Sequence, residues 1–282
     1  MSKVAIVTDS TATIPQKLLE QYDIHVLPQV LIWGEQTLMD GVDIQPAEFY
    51  KRLQTDPIHP KTSQVTPAAF KQSYGDLLER DYEILAILVS RKLSGTMDSA
   101  NQALEFYPGA PIEIVDSQSV AMALGFQVLV TARAIEEGAS LQEAKALATQ
   151  TAPHTGVVFA VDTLEYLHRG GRIGSGARFL GTTLNLKPIL EVKDGLIEAV
   201  ERVRTRKKSL TRLVELIEAR VNGRQPVRLA TLHANAAEEA QAQLEETTRR
   251  LDAVESVFTE VSPVVGTHTG PGTVGLAFIA GM

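Results

Sequence analysis

Cysteine is absent from all 282 residues, which excludes disulfides, thiolate metal sites and cysteine nucleophiles. Aromatic side chains amount to 5%, with a single tryptophan. No apolar run approaches the roughly 20 residues that a membrane-spanning helix requires. The opening, MSKVAIVTDS, is too short and turns polar too early for a signal peptide, and it reads as a first strand. A cytoplasmic location is therefore expected. Basic charge is outweighed: 27 Lys and Arg against 34 Asp and Glu leave a formal charge of −7. That balance argues against a nucleic-acid partner, since phosphate binding needs a basic field.

Standard catalytic signatures are missing as well. The glycine run Gly170 to Gly176 (GGRIGSG) lacks the Gly-Lys-Ser/Thr ending of a phosphate-cradling loop and the spacing of a dinucleotide fingerprint. Ser94, in Leu93-Ser94-Gly95, has no glycine two residues earlier, as a nucleophile elbow demands. Histidines at 25, 59, 154, 168, 233 and 268 show no short pairing that would hold a metal. No cofactor is expected, and no enzymatic activity of the chain acting alone.

The remaining composition, 44% hydrophobic and 22% charged, is that of a folded globular protein of one large or two modest domains. Apolar runs Lys3–Thr8, Ile84–Val89 and Ile112–Val115 read as buried strands alternating with helices at about Thr13–Tyr22, from Thr66-Pro67 onward, Ser94–Leu104 and Val120–Glu137. Ile24–Ile32 reads as one extended run. Such alternation implies crossovers and a mainly parallel sheet. Beyond residue 150 the pattern changes. Strands are expected at Gly156–Val161, Val227–His233, Val257–Ser262 and Val274–Ala280, with helices at Leu164–His168, Leu210–Val221 and Ala236–Leu251. Asp194-Gly195 lies between Ile189–Lys193 and Leu196–Val203, the signature of a tight antiparallel hairpin. The expected fold is thus α/β in two domains: 1–152 around a mainly parallel sheet, and 153–282 around a mixed or antiparallel sheet with helices.

Hydroxyl residues collect where strands or loops hand over to helices: Asp9-Ser10, Thr62-Ser63, Ser94-Gly95-Thr96 and Asp116-Ser117. In open α/β sheets ligands sit beyond the carboxyl ends of the strands, where helix N-termini favour anions such as carboxylates. Ordinary helix capping explains each of these residues singly. Two segments go further. Lys61-Thr62-Ser63-Gln64-Val65-Thr66-Pro67 packs hydroxyls ahead of a helix, and Gly266 to Gly272 (GTHTGPG) sets one histidine among three glycines and a proline. The latter is expected to be a tight loop rather than regular structure, with a backbone able to approach a ligand. Residue types alone also permit an acyl hydrolase, with Ser94 as nucleophile, His268 as base and Asp116 or Asp9 as orienter. A third reading is a regulatory protein whose bound ligand is incidental.

Five segments together, VTDSTATIP, KTSQVTPAAF, LSGTMDSA, VDSQSVAMALG and THTGPGTVG, resemble the DegV family, and LHRGGRIGSG and LNLKPIL between them match it too. They occur in family order and span nearly the whole chain. The resemblance implies a two-domain α/β protein that holds one long-chain fatty acid, its tail in an apolar tunnel and its carboxylate near the domain junction. Carried across, the head group would meet Thr62, Ser94, the Gly95 amide and His268. A carboxylate buried in an apolar site requires several such donors. Val65 stands where proline is frequent and Met97 where tyrosine is frequent, but neither touches those positions. Some members serve as the lipid-binding subunit of a fatty acid kinase, whose ATP-binding partner phosphorylates the bound carboxylate. On that basis Arg172 and Arg204 are candidates for facing the partner or the phosphate. The basic run Arg202 to Lys208 (RVRTRKK) is a candidate for transient contact with an acidic partner or a membrane surface, though a solvated face accounts for it as well.

Overall fold

The computed structural model describes residues 3–179 and 186–282. Leu184 and Asn185, the first two residues of the LNLKPIL segment, lie outside them. Strand β1 (Lys3–Asp9) and helix α1 (Gln16–Gln21) are followed by the short strands β2 (His25–Leu27), β3 (Val30–Trp33) and β4 (Gln36–Met39). Helix α2 (Pro46–Thr55), strand β5 (Lys61–Ser63), helix α3 (Pro67–Leu78), strand β6 (Tyr82–Leu88), helix α4 (Thr96–Leu104) and strand β7 (Ile112–Asp116) come next. Four of these strands form a wholly parallel sheet in the order β2-β1-β6-β7, while β4-β3-β5 make a small antiparallel flap.

Helices α5 (Ala121–Glu136) and α6 (Leu141–Thr151) lead to the second sheet. Its parts are β8 (Thr155–Ala160), α7 (Glu165–Arg169), β9 (Lys187–Lys193), β10 (Leu196–Val203), α8 (Arg206–Val221), β11 (Val227–His233), α9 (Ala237–Leu251), β12 (Glu255–Val257), α10 (Pro263–Thr269) and β13 (Val274–Ala280). The strand order is β10-β9-β8-β13-β11-β12, with β11 and β12 parallel and every other pair antiparallel. The sheet is therefore mixed, as expected. Its β9–β10 hairpin turns through Asp194 (φ 49°) and Gly195 (φ 78°), both in the left-handed region that a two-residue primed turn requires. The turn rests on the first sheet's loops, where Ser90 Oγ donates to the Gly195 carbonyl at 2.8 Å and Lys92 Nζ to the Asp194 carbonyl at 2.8 Å.

Helix α5 joins the two layers. Apolar or small on nearly every face, it is buried from Ala121 through Leu129. One side packs on β1 and β6, the other on β8, β11 and β13. One apolar core consequently runs from Ile6 and Leu85 of the parallel sheet to Val157 and Ala277 of the mixed one.

Several elements differ from the sequence expectations. The run Ile24–Ile32 breaks at Pro28, so that its halves join different sheets. Thr13 does not cap α1; it sits at φ 51° closing a preceding 3-10 turn, and Pro15 occupies the cap position. The expected strand Val257–Ser262 shares only Val257 with β12, which lies earlier in the chain, and Ser262 and Pro263 start a helix instead. That helix corrects the expectation of an irregular loop at Gly266 to Gly272: Gly266, Thr267, His268 and Thr269 are helical. Only from Gly270 (φ 76°) does the backbone leave the helix. Three capping and hydroxyl bonds outweigh the glycines there: Ser262 Oγ caps the first turn, and Thr267 and Thr269 Oγ1 donate to the Pro263 and Val265 carbonyls.

Candidate functional site: an apolar channel ending at Thr62 and His268

Between the two sheets lies a cavity of about 710 Å³ of atom-free space, mouth included. Its walls are mainly apolar: Val89 and Val120 from the first layer, Val157, Phe159, Val192 and Leu232 from the second. Polar groups gather at one end, where Thr62, Gln64, Ser94, Arg172 and His268 line it.

Each of these side chains is placed by a different element. Thr62 lies on β5, opposite Leu31 of β3. Its Oγ1 meets His268 Nε2 at 2.8 Å. His268 occupies the last turn of α10, whose N-terminus is tied down by Asp40: Oδ1 accepts from the Val264 amide at 3.1 Å, and Oδ2 from Ser10 Oγ at 2.6 Å. Burial pushes the Asp40 carboxyl up, opposed by these hydrogen bonds. Gly170, the C-cap of α7, makes room for the imidazole, since an added Cβ there would collide with His268 Nδ1. Ser94 sits in the loop before α4; its hydroxyl bonds Thr96 Oγ1 at 2.9 Å and accepts from the Thr96 amide at 3.3 Å. Gln29 Nε2 donates to the same Thr96 Oγ1 at 2.9 Å. Gly95 does not line the cavity; it packs against the Gln64 side chain, whose Nε2 would lie 3.1 Å from an added Cβ.

The two arginines paired in the sequence reading part company. Arg172 is in the cavity wall, its Nε donating to the Leu93 carbonyl at 3.0 Å and Nη1 to the Gly170 carbonyl at 2.7 Å. Arg204 is exposed and outside the lining. The basic run around it is not uniform: Val203 is buried and Arg206 pairs with Glu239, while Lys207 and Lys208 face solvent. A second hollow shares Thr62, Arg172 and His268 with the channel and adds His59, Lys61 and Arg169. The polar end of the channel thus adjoins a cationic vestibule.

Burial, reinforced by the charges of Arg172 and His59, pushes His268 down to about 4. The ring is neutral at pH 7. With Nε2 protonated it donates to Thr62 and leaves the threonine hydroxyl proton for an incoming acceptor. His268 Nδ1 has no hydrogen-bond partner among the described residues. Because the folded value lies below the usual 6.5, the unfolded chain binds the proton more readily. The stability contributed by this histidine is complete above about 6.5 and is lost as pH falls toward about 4. We expect an NMR titration of the ligand-free protein to show His268 protonating near pH 4, and added long-chain fatty acid to raise the midpoint. A ligand-free midpoint near 6.5 would mean the ring is hydrated rather than buried.

The hydrolase arrangement is not assembled. Asp9 Oδ1 accepts from Thr11 Oγ1 and the Thr11 amide, and Oδ2 from the Val89 amide. Asp116 Oδ1 accepts from the Arg91 and Gln118 amides. Neither orients His268, and Ser94 bonds Thr96 instead of the imidazole. Among the described residues no group of three or more His, Asp or Glu is placed to hold a metal, and no helix is long and apolar enough to cross a membrane.

Comparison with known proteins fits this geometry. Residues 3–281 match the family model described as "Uncharacterised protein, DegV family". The chain belongs to the DegV family. A DegV domain-containing protein of Streptomyces coelicolor is 37% identical over 276 residues, covering 97% of each chain. Among solved structures, a fatty acid-binding DegV family protein from Thermus thermophilus superposes with a TM-score of 0.93 at 34% identity, covering 99% of both chains. A stearic acid-binding protein from Eubacterium ventriosum superposes with a TM-score of 0.92 at 27% identity, over 100% of this chain and 99% of that one. The α/β fold with one parallel and one mixed sheet is that of these DegV proteins.

Proposed function

We propose that this DegV protein binds one long-chain fatty acid, its alkyl chain in the interlayer channel and its carboxylate at Thr62, Ser94 and His268. The observation that carries the reading is the channel's wall: predominantly apolar, with the Thr62–His268 pair, Ser94 and one guanidinium set into it. An alkyl chain gains about 0.8 kcal/mol per buried methylene. A carboxylate would be lost in such a site without the donors. The fatty acids bound by the Thermus thermophilus and Eubacterium ventriosum proteins support the assignment.

The finer reading is a carrier that presents the carboxylate to an ATP-dependent fatty acid kinase partner, the chain itself contributing no ATP site. The vestibule with Lys61, Arg169 and Arg172 supports it, since an anionic head group bound at Thr62 and His268 lies against that opening. Arg204 and its exposed basic neighbours are then available for the partner or for transient contact with a membrane surface, and the protein works in the cytoplasm. In the same reading the chain divides at 1–152 and 153–282. What supports the division is that the first sheet's last strand ends at Asp116 and the second sheet's first begins at Thr155.

Mass spectrometry of an organic extract of the purified protein tests lipid binding directly, with one fatty acid per chain expected. An extract of folded protein that contains no fatty acid would contradict the proposal. Ser94→Ala and His268→Ala should each weaken fatty acid binding by about 1–3 kcal/mol, the worth of a hydrogen bond to a charged group. Thr62→Ala should cost less, because His268 remains to donate. Unchanged affinity in both the Ser94 and the His268 variants would place the carboxylate elsewhere.

A further inference from the structure

We infer that Val157 and Val192 form the stop that limits how long an acyl chain the channel accepts; this rests on the lipid reading above. A second, larger groove of about 1370 Å³ of atom-free space, mouth included, lies on the far side of the channel. It is polar, with Glu191, Lys193, Arg220 and Arg224 in its walls. Two residues line both spaces, Val157 and Val192. They are register partners on the antiparallel strands β8 and β9, and directly opposed residues project from the same face of a sheet. The partition at that point is therefore one side chain thick. Exposure agrees: Val157 is 1% exposed, whereas Val192 is only half-buried, open to the groove on one side. Val120 lines the channel beside them, and its neighbours Gln118 and Ser119 line the groove.

The partition also stands at the end remote from the head group. Strand β8 runs from Val157 past Phe159 to the turn before α7, and α7 ends at Gly170 against His268. The stretch of β8 from Val157 to Ala160 alone spans about 10 Å. A chain anchored at His268 reaches these valines methyl end first. Beyond them lies charged, hydrated surface, where each further methylene forfeits burial and with it about a fourfold gain in affinity. Smaller side chains would join the two spaces; larger ones would shorten the channel.

The test compares wild type, Val192→Phe and the double variant Val157→Ala/Val192→Ala, each titrated with saturated fatty acids from lauric to arachidic. Lipid extracted from the same preparations is profiled by mass spectrometry. Val192→Phe should move the optimum to shorter chains, with about a tenfold loss or more for the longest. The double alanine variant should move it to longer ones. Thermal unfolding checks that each variant folds, and Val192→Met provides a milder enlargement should the phenylalanine variant fail. Variants that bind fatty acid with the wild-type length profile would overturn the stop while leaving the lipid reading intact. A wild type that binds no fatty acid of any length would remove the lipid reading and the stop with it.

Discussion

Gly170→Ala should strip the protein of most of its affinity for a fatty acid while leaving its fold in place. Gly170 has φ −78° and ψ −8°, an ordinary right-handed conformation that alanine adopts without strain. The substitution therefore acts through space alone. Its Cβ would lie 2.7 Å from His268 Cε1 and 3.3 Å from Cγ, and closer still to Nδ1. Overpacking of this kind costs about 1–3 kcal/mol when the surroundings cannot yield. Here the part free to move is the imidazole, because Gly170 is held by its amide bond to the Tyr166 carbonyl and by Arg172 on its own carbonyl. Turning the ring breaks the 2.8 Å contact with Thr62 and withdraws a donor from the head-group site. The expected outcome is a loss of about tenfold or more in lipid titrations, with the far-ultraviolet spectrum unchanged. Affinity within twofold of wild type would show that His268 does not hold the carboxylate.

Gly170 also illustrates what the sequence leaves illegible. Its neighbour Gly171 has φ 71°, the conformation that local sequence signals anticipate for glycine. Gly170 has no such need, and its reason for being glycine lies almost a hundred residues away in space-sharing with His268. Long-range demands of this kind leave no periodic trace. The same holds for Gln29, which reaches Thr96 Oγ1 and so sets the Ser94 hydroxyl network, yet reads from sequence as one polar residue after a proline in an extended run. Arg172 was a candidate through the family resemblance alone, and nothing local showed that it would face the channel. By contrast, β13 was readable to the residue, because an unbroken apolar run such as VGLAFIA after a glycine-rich turn admits little else. The Asp194-Gly195 hairpin was readable for a different reason, its backbone conformation being nearly dictated by residue type. Helix α6 carried a capping box, Ser140 with Glu143, that local reading passed over. The helical turn at His268 was misjudged because Gly266 lies on a helix that Ser262 caps locally and that Asp40 holds through a tertiary contact to the Val264 amide.

Arg172→Ala and Arg204→Ala should separate two roles that the sequence presents as one. Arg172 lines both the channel and the vestibule, and its charge is one of the causes that hold His268 low. A carboxylate placed at Thr62 and His268 lies within the same field, now attractive. Removing one partner of a fully buried ion pair costs about 3–5 kcal/mol. Arg172 is half-buried and its vestibule is open, so solvent screening reduces the loss to a fraction of that. Lipid affinity should still fall about tenfold. In the ligand-free protein the His268 midpoint should rise above about 4, since the lowering charge is gone while burial remains. Arg172→Lys should restore part of the affinity, keeping the charge but not the two-pronged grip on the Leu93 and Gly170 carbonyls. Arg204→Ala, on exposed chain outside the cavity lining, should bind fatty acid as wild type does. Its defect should surface only in a mixture with an ATP-binding partner, as slower acyl phosphate formation. Lipid titration, histidine NMR and the reconstituted reaction read the three effects separately. An Arg172→Ala protein with wild-type affinity and an unmoved His268 midpoint would take the guanidinium out of the head-group site.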